Sequence, residues 1–186
     1  MPVESLAPPY FLLASPAMLD PNFAKTVVLM VHHTKEGALG WIVNRMLGVA
    51  PGDLLAPPLG SSIHADTPIR LGGPIVTNGL VVVFREELPG IEQVEMAPGI
   101  RVSASAEILP MLFAASPPRP LGLLILGYSG WGPEQLEHEM EDGAWLVLPW
   151  DEAFAFTNET GDLWERGLAR LGVTPQNVLP FPGGVS

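Results

Sequence analysis

Residues 127–137, with the sequence GYSGWGPEQLE, constrain the fold most, because three glycines and a proline follow an apolar run there. The run itself, residues 121–126, predicts a buried strand. The glycines then indicate a tight turn, and Pro133 is expected to begin a helix with Gly132 as its N-cap. In many α/β proteins a strand–turn–helix junction of this kind holds a ligand. We therefore expect this junction to form a wall of any functional groove.

Length and composition indicate one domain. The chain has 186 residues, 47% of them hydrophobic, which is enough apolar material for one core. We expect residues 1–186 to form a single domain with an ordered core over residues 10–172 and a mobile C-terminal tail. The absence of cysteine excludes disulfides and thiolate chemistry. No apolar run approaches the ~18 residues that span a bilayer, and the N-terminus lacks the basic region of a secretory signal. A cytoplasmic protein without a membrane partner is the simplest prediction.

The first half of the chain predicts strands and a β-hairpin. Residues 25–34 and 38–45 are rich in β-branched and apolar side chains, and a short turn containing Gly37 separates them. Further on, Gly72 and Gly73 interrupt an apolar run, which is typical of a bulge or of a close approach between two backbones. The sheet is therefore expected to contain bulges.

Helical patterns are mixed with strands in the second half. We expect helices over residues 105–115, 133–142 and 162–171, and Pro110 must kink the first of them or shift its start. A strand–helix–strand order toward the C-terminus, after a hairpin near the front, indicates a mixed sheet. The predicted fold class is α/β: a single compact domain with a bulged mixed β-sheet flanked by a few short helices.

The formal net charge of −11 argues against direct nucleic-acid binding. The nine lysines and arginines are spread along the chain, whereas a DNA-binding face needs grouped cations that displace counterions from phosphates. A chain with this charge repels DNA at long range. The same acidity has a simpler explanation, which is that it keeps a hydrophobic domain in solution.

Ser129 is the candidate nucleophile at the junction. A nucleophile elbow requires the pattern G-x-S-x-G, and Trp131 stands where the second glycine belongs. The histidines offer no recognisable partner, and the glycines lack the lysine and the spacing of a phosphate-binding loop. We therefore predict no catalytic residue and interpret Ser129 as a serine that bonds locally within a turn.

The acidic helix after the junction is a weak candidate for a metal site. His138 begins a segment that differs from the pattern H-E-x-x-H because Asp142 replaces the second histidine. His32 and His33 are adjacent in a strand and point to opposite faces, so they cannot bind one metal together. We predict no metal and no cofactor. The acidic residues are interpreted as a solvated helix face, which comprises Glu134, Glu137, Glu139, Glu141 and Asp142.

Ordered short blocks give the chain a family resemblance. They are Asp20-Pro-Asn-Phe, Thr26-Val-Val, Glu36-Gly-Ala-Leu-Gly40, Asn44-Arg45, Gly72-Gly-Pro74, Gly127-Tyr-Ser-Gly-Trp131, Gln135-Leu-Glu137 and Trp145. In this order they resemble the YqgE/AlgH family of bacterial proteins over most of the chain. The resemblance departs at Glu134, where the family pattern has glycine. It implies one compact α/β domain with a bulged sheet and no established activity, in a family whose members are described as transcriptional regulators.

Together these observations predict a non-catalytic regulatory or binding protein that acts through an unidentified protein partner or small ligand. The first alternative is an enzyme, such as a hydrolase, that uses a groove near residues 127–131. The second is a regulator that binds DNA directly. The predicted binding groove comprises Asn44, Arg45, Gly72, Gly73, Pro74, Ser129, Gly130 and Trp131.

Overall fold

Nine strands of one sheet organise the part of the chain that the computed structural model describes, residues 6–115 and 120–176. The strands are β1 (Tyr10–Ala14), β2 (Val27–Thr34), β3 (Gly37–Ile42), β4 (Ile69–Leu71), β5 (Ile75–Phe84), β6 (Val94–Ala97), β7 (Ile100–Ser103), β8 (Gly122–Trp131) and β9 (Trp145–Pro149). Their spatial order is β6-β7-β5-β8-β3-β2-β1-β9, with β4 beside β8. The helices are α1 (Pro51–Leu54), α2 (Ile108–Phe113), α3 (Gln135–Glu141), α4 (Glu152–Ala155) and α5 (Leu163–Arg170).

The sheet is antiparallel almost throughout, so the prediction of a mixed sheet is wrong for the sheet as a whole. Among the described strands, only the three-residue β4 runs parallel to its neighbour, β8. The reason is that α3 does not lead back to a strand beside β8. It leads to β9, which pairs antiparallel with β1 at the sheet edge. The hairpin of β2 and β3 and the bulges in the sheet are as expected, and an α/β-type domain is compatible with this arrangement.

Strand β8 continues without interruption through the segment that the sequence predicts to be a tight turn. Gly127 lies inside β8 with φ +74, and the strand continues to Trp131. Opposite it, the pairing moves from Ile75↔Tyr128 to Leu80↔Leu126, so β5 contains a bulge at this point. A left-handed glycine therefore bends the strand without ending it. The prediction of a turn at Gly127 is wrong.

The Gly72-Gly73 break is a close approach of backbones, as the sequence predicts. A Cβ atom on Gly73 would lie 2.2 Å from the carbonyl oxygen of Tyr128. The Gly72 N–H donates to the carbonyl of Leu126 at 2.8 Å, and the Gly72 carbonyl accepts from the N–H of Ile42 at 2.8 Å. This short segment therefore links β8 to the end of β3.

The helices begin where local backbone chemistry allows. Helix α2 starts at Ile108, which places Pro110 in the first turn, where its missing N–H removes no helical hydrogen bond. Helix α3 starts at Gln135, so the prediction that Pro133 begins it is wrong. Glu134, where the motif resemblance leads us to expect glycine, has φ +59, a conformation that glycine adopts without strain. The tail beyond residue 176 lies outside the described residues.

Both faces of the sheet are covered by side chains. In β1, alternate residues belong to different clusters: Phe11 and Leu13 pack with α4 and α5, and Tyr10 and Leu12 pack on the side of α3. A third cluster joins α2 to β4, β5 and β8. Within the described residues, no helix has both the length and the apolar character needed to cross a membrane.

Replacing Gly73 by alanine should destabilise the fold by at least about 2 kcal/mol, because the added Cβ forces the Gly72-Gly73 segment and β8 apart. Urea denaturation measures this loss. Gly161→Ala is the matched control, since a Cβ there meets no atom within 4 Å, and it should change stability by at most about 0.5 kcal/mol. Equal stability of the two variants would contradict the close approach.

Candidate functional site

Three residues of the predicted groove meet between β4 and β8. Ser129 is fully buried in β8, and its hydroxyl donates to the carbonyl of Gly72 at 3.1 Å. Gly73 packs directly against the neighbouring backbone of Tyr128. Ser129 is therefore part of a long-range contact within a sheet. Its interpretation as a serine that bonds locally within a turn is wrong.

Asn44 and Arg45 lie at the end of β3 and hold the loop that precedes β2. The side chain of Asn44 accepts from the N–H of Val27 at 2.8 Å and donates to the carbonyl of Lys25 at 2.9 Å. The Arg45 guanidinium donates to the carbonyl of Asn22 at 2.7 Å. These bonds supply partners for backbone N–H and C=O groups of a loop that has no regular secondary structure.

Trp131 ends β8 inside an aromatic cluster. Phe23 stacks on Trp131 with ring centroids 6.0 Å apart, and Trp145 meets Trp131 edge-on at 5.9 Å. Both indole N–H groups donate to one oxygen of Glu139, at 2.9 and 2.8 Å. Glu139 thus supplies the partner that buried indoles require. The interpretation of the acidic helix as a solvated face is wrong for this residue.

The eight predicted groove residues therefore form one continuous region, although they do not all touch. Gly72, Gly73 and Ser129 meet directly, and Phe23 connects the loop that Arg45 holds to the ring of Trp131. Pro74 is exposed beside Gly73, and Gly130 pairs with Leu39 of β3. Apart from Pro74, each of these residues makes a hydrogen bond, a strand pairing or a packing contact within the fold. A binding role for this region stays a prediction.

A chain of hydrogen bonds that the sequence does not reveal connects Tyr10, His33 and Glu137. The Tyr10 hydroxyl lies 2.8 Å from Nδ1 of His33, and Nε2 of His33 lies 2.8 Å from Oε1 of Glu137. Burial and then the charge of Glu137 raise the pKa of the Tyr10 phenol. The phenol therefore stays neutral and donates to His33, which leaves Nε2–H to donate to Glu137. These two hydrogen bonds connect α3 to β1 and β2 of the sheet.

The acidic and histidine side chains form no cluster of metal ligands in the part of the chain that the structure describes. Within residues 6–115 and 120–176, no group of three or more His, Cys, Asp or Glu is arranged to hold a metal ion. His33 and Glu137 form a pair, and His138 bonds to the carbonyl of Glu134 at the start of its own helix.

A cleft lies elsewhere, between the end of β5 and helices α2 and α4. It has a volume of about 180 Å³. At its rim, Arg85 and Glu152 lie 3.8 Å apart. Its walls are mainly apolar, which is typical of a ligand site, and they include Phe84, Leu88, Leu112, Leu121 and Phe156.

A smaller cavity of about 30 Å³ adjoins the cleft and is lined by Arg70. The Arg70 side chain is 1% exposed. Its Nε donates to the carbonyl of Val43 at 2.9 Å, and its Nη2 donates to the carbonyl of Thr157 at 2.7 Å. Among the residues that the structure describes, no carboxylate lies within 4.0 Å of this guanidinium.

Burial lowers the pKa of Arg70 to about 10, which still leaves the guanidinium charged at neutral pH. Desolvation therefore costs the charged form about 3 kcal/mol in the folded state. A buried charge without a counter-charge is costly, and such groups are concentrated at functional sites. In the sequence Arg70 is one of nine dispersed cations, and its only distinguishing sign is its position between Ile69 and Leu71 in a short apolar strand.

Asp151 fixes the helix that forms one wall of the cleft. Its Oδ1 accepts from the N–H of Phe154 at 2.9 Å and caps α4, and its Oδ2 accepts from Arg170 at 3.0 Å. The bond from Phe154, followed by the interaction with Arg170, lowers the pKa of the Asp151 carboxyl.

Asp151→Asn should make stability less dependent on acid pH. Because the folded pKa is depressed, the carboxylate stabilises the fold above its unfolded pKa of about 3.9, and this contribution is lost as pH falls through the folded pKa. Thermal unfolding between pH 7 and pH 2.5 should therefore show a smaller loss of stability in the variant than in the wild type. Parallel curves would contradict the role assigned to Asp151.

Glu139→Ala should cost about 2–4 kcal/mol, because it leaves two buried indole N–H groups without an acceptor. Glu141→Ala is the matched control, since Glu141 is exposed on the same helix and should change stability by at most about 0.5 kcal/mol. Chemical denaturation followed by tryptophan fluorescence measures both. A loss for Glu139→Ala no larger than that of the control would show that the carboxylate does not stabilise the cluster.

Comparisons with known proteins agree with this fold. A model of the AlgH-like family matches residues 11–176. A UPF0301 protein from Anaeromyxobacter dehalogenans is 37% identical over 185 residues, covering 95% of this chain and 93% of that protein. The solution structure of the AlgH protein from Pseudomonas aeruginosa has a TM-score of 0.70 and 34% identity, covering 89% of this chain and 88% of that one.

A more distant structure has the same fold. The crystal structure of protein DIP2367 from Corynebacterium diphtheriae has a TM-score of 0.67 at 23% identity, covering 91% of this chain and 90% of that one. The family match and the relatives above 30% identity extend over most of the chain, as the motif resemblance implies. The chain therefore belongs to the AlgH-like family.

Proposed function

We propose that this protein is a non-catalytic regulatory or binding protein that acts through a small ligand or a protein partner. We propose further that the cleft between β5, α2 and α4 is its binding site. The observation that supports this most is the combination of apolar walls with a charged rim formed by Arg85 and Glu152. Leu121, at this cleft, is 56% exposed, and an exposed leucine beside a concave apolar surface is a suitable contact for an apolar partner group.

The environment of Ser129 supports binding over hydrolysis. A nucleophilic serine must have its hydroxyl free to reach a substrate, with a base in hydrogen-bond reach. In this protein Ser129 is 0% exposed and its hydroxyl donates to the backbone carbonyl of Gly72. Hydrolysis at this position would require the Gly72-Gly73 segment to move away from β8.

The dispersed cations support action through a partner rather than through DNA. Several arginines already bind groups of the protein itself: Arg45 and Arg70 bind backbone carbonyls, and Arg170 binds Asp151. With a net charge of −11, this leaves little positive charge to contact phosphates. The regulatory part of the proposal comes from the family resemblance, and we expect the protein to act in the cytoplasm.

Native mass spectrometry of protein purified from its own cells tests this proposal. The wild type should retain a small molecule or partner that Leu121→Glu loses, because a carboxylate would then stand among the apolar walls. Leu19→Glu is the matched control, since Leu19 is 92% exposed and does not line the cleft, and it should retain the same molecule.

Prolonged incubation of the wild type with the recovered molecule distinguishes binding from catalysis. The proposal predicts that the molecule is recovered chemically unchanged. Conversion into a product, or equal retention by Leu121→Glu and the wild type, would contradict it.

A further inference from the structure

Arg70 has donors that its protein contacts do not use. A guanidinium carries five N–H donors. Nε and Nη2 bind the carbonyls of Val43 and Thr157, and Nη1 makes no hydrogen bond to any residue within 6–115 or 120–176. The side chain is 1% exposed and lines the small cavity. The charged side chain of Arg70 thus borders a space that a ligand could fill.

The size and surroundings of this cavity favour a carboxylate. Its volume of about 30 Å³ has room for a small polar head group. Arginine binds carboxylates with its planar fork, and Thr67 and Asn158, which also line the cavity, carry further donors. The net charge of −11 disfavours ligands with several negative charges.

The cavity adjoins the apolar cleft. Leu112, Pro120 and Leu121 line both spaces. A ligand can therefore place a charged head beside Arg70 while its apolar part lies against Phe84 and the other apolar walls of the larger space. Burial of the apolar part provides most of the binding free energy, and the charged head fixes the orientation of the ligand.

We propose that the cleft binds a small monocarboxylate with an apolar body, whose carboxylate accepts hydrogen bonds from the Arg70 guanidinium. This inference rests on the proposed function, because it names the class of ligand that the same cleft takes. It assigns to Arg70 the role of recognising the acid group.

Isothermal titration calorimetry with straight-chain probes tests the inference. Octanoate should bind at least tenfold more tightly than butanoate, since each buried methylene contributes about fourfold to affinity. It should also bind at least tenfold more tightly than octanamide, which has the same apolar body and no charge. Equal affinities for octanoate and octanamide, or no binding of octanoate, would overturn the inference.

Two variants test which residues bind octanoate. Arg70→Lys, which keeps the charge and loses the fork, should weaken octanoate binding at least tenfold and leave octanamide binding unchanged. Leu121→Glu should abolish octanoate binding, and Leu19→Glu should not change it. Because Leu121 is 56% exposed, its variant decides the question even if Arg70→Lys does not fold. Octanoate binding that is unaffected by Leu121→Glu would overturn the inference.

The failure of this inference and the failure of the proposed function give different results. A molecule that is retained in native mass spectrometry and lost in Leu121→Glu, together with no response to octanoate, would refute the carboxylate alone. Retention that does not depend on Leu121 would refute the cleft as the binding site, and with it both proposals.

Discussion

The rest of the structure depends on the close approach of the Gly72-Gly73 backbone to β8. There is no room for a side chain between Gly73 and Tyr128, and the hydrogen bonds of Gly72 connect β8 to β3. This contact lets one long strand pair with β5 and β4 over its first half and with β3 over its second. It also sets the position of Arg70, which lies on β4 just before the two glycines. A requirement of backbone geometry therefore places a buried charge beside a cleft.

Arg70, which is buried, and Glu139, which is partly buried, illustrate different solutions to desolvation. Glu139 exchanges water for two indole N–H groups, so its carboxylate stabilises the aromatic cluster and is fully used by the fold. Arg70 binds two backbone carbonyls but faces no carboxylate among the described residues. A charged group whose hydrogen-bonding positions are filled by the protein has a structural role. A buried charge that lies beside a cavity and has no counter-charge indicates a ligand site. This difference is the reason for preferring the cleft near Arg70 to the region around Ser129.

Local chemistry made part of the fold predictable. Glycine, proline and turn residues predict the β2–β3 hairpin, the close approach at Gly72 and the shifted start of α2 at Pro110. The order of the motifs predicts the family. The sheet direction and the path of β8 could not be predicted in this way, because glycines that permit a turn also permit a bulge inside a strand. The side-chain partners were also beyond the sequence: His33 and Glu137 are 104 residues apart, and only strand pairing brings them together. Arg70 was overlooked because burial of a single cation has no periodic pattern.

If the Arg70 guanidinium binds the acid group of a ligand in the cleft, nuclear magnetic resonance of ¹⁵N-arginine-labelled protein should detect the contact at the guanidinium itself. The Nε–H resonance of Arg70 is assigned by its loss in Arg70→Lys. During titration with octanoate it should shift in a saturable manner, with the same dissociation constant as calorimetry gives, and octanamide should produce no such shift. An Arg70 resonance that does not move while octanoate binds would show that the guanidinium does not bind the acid group.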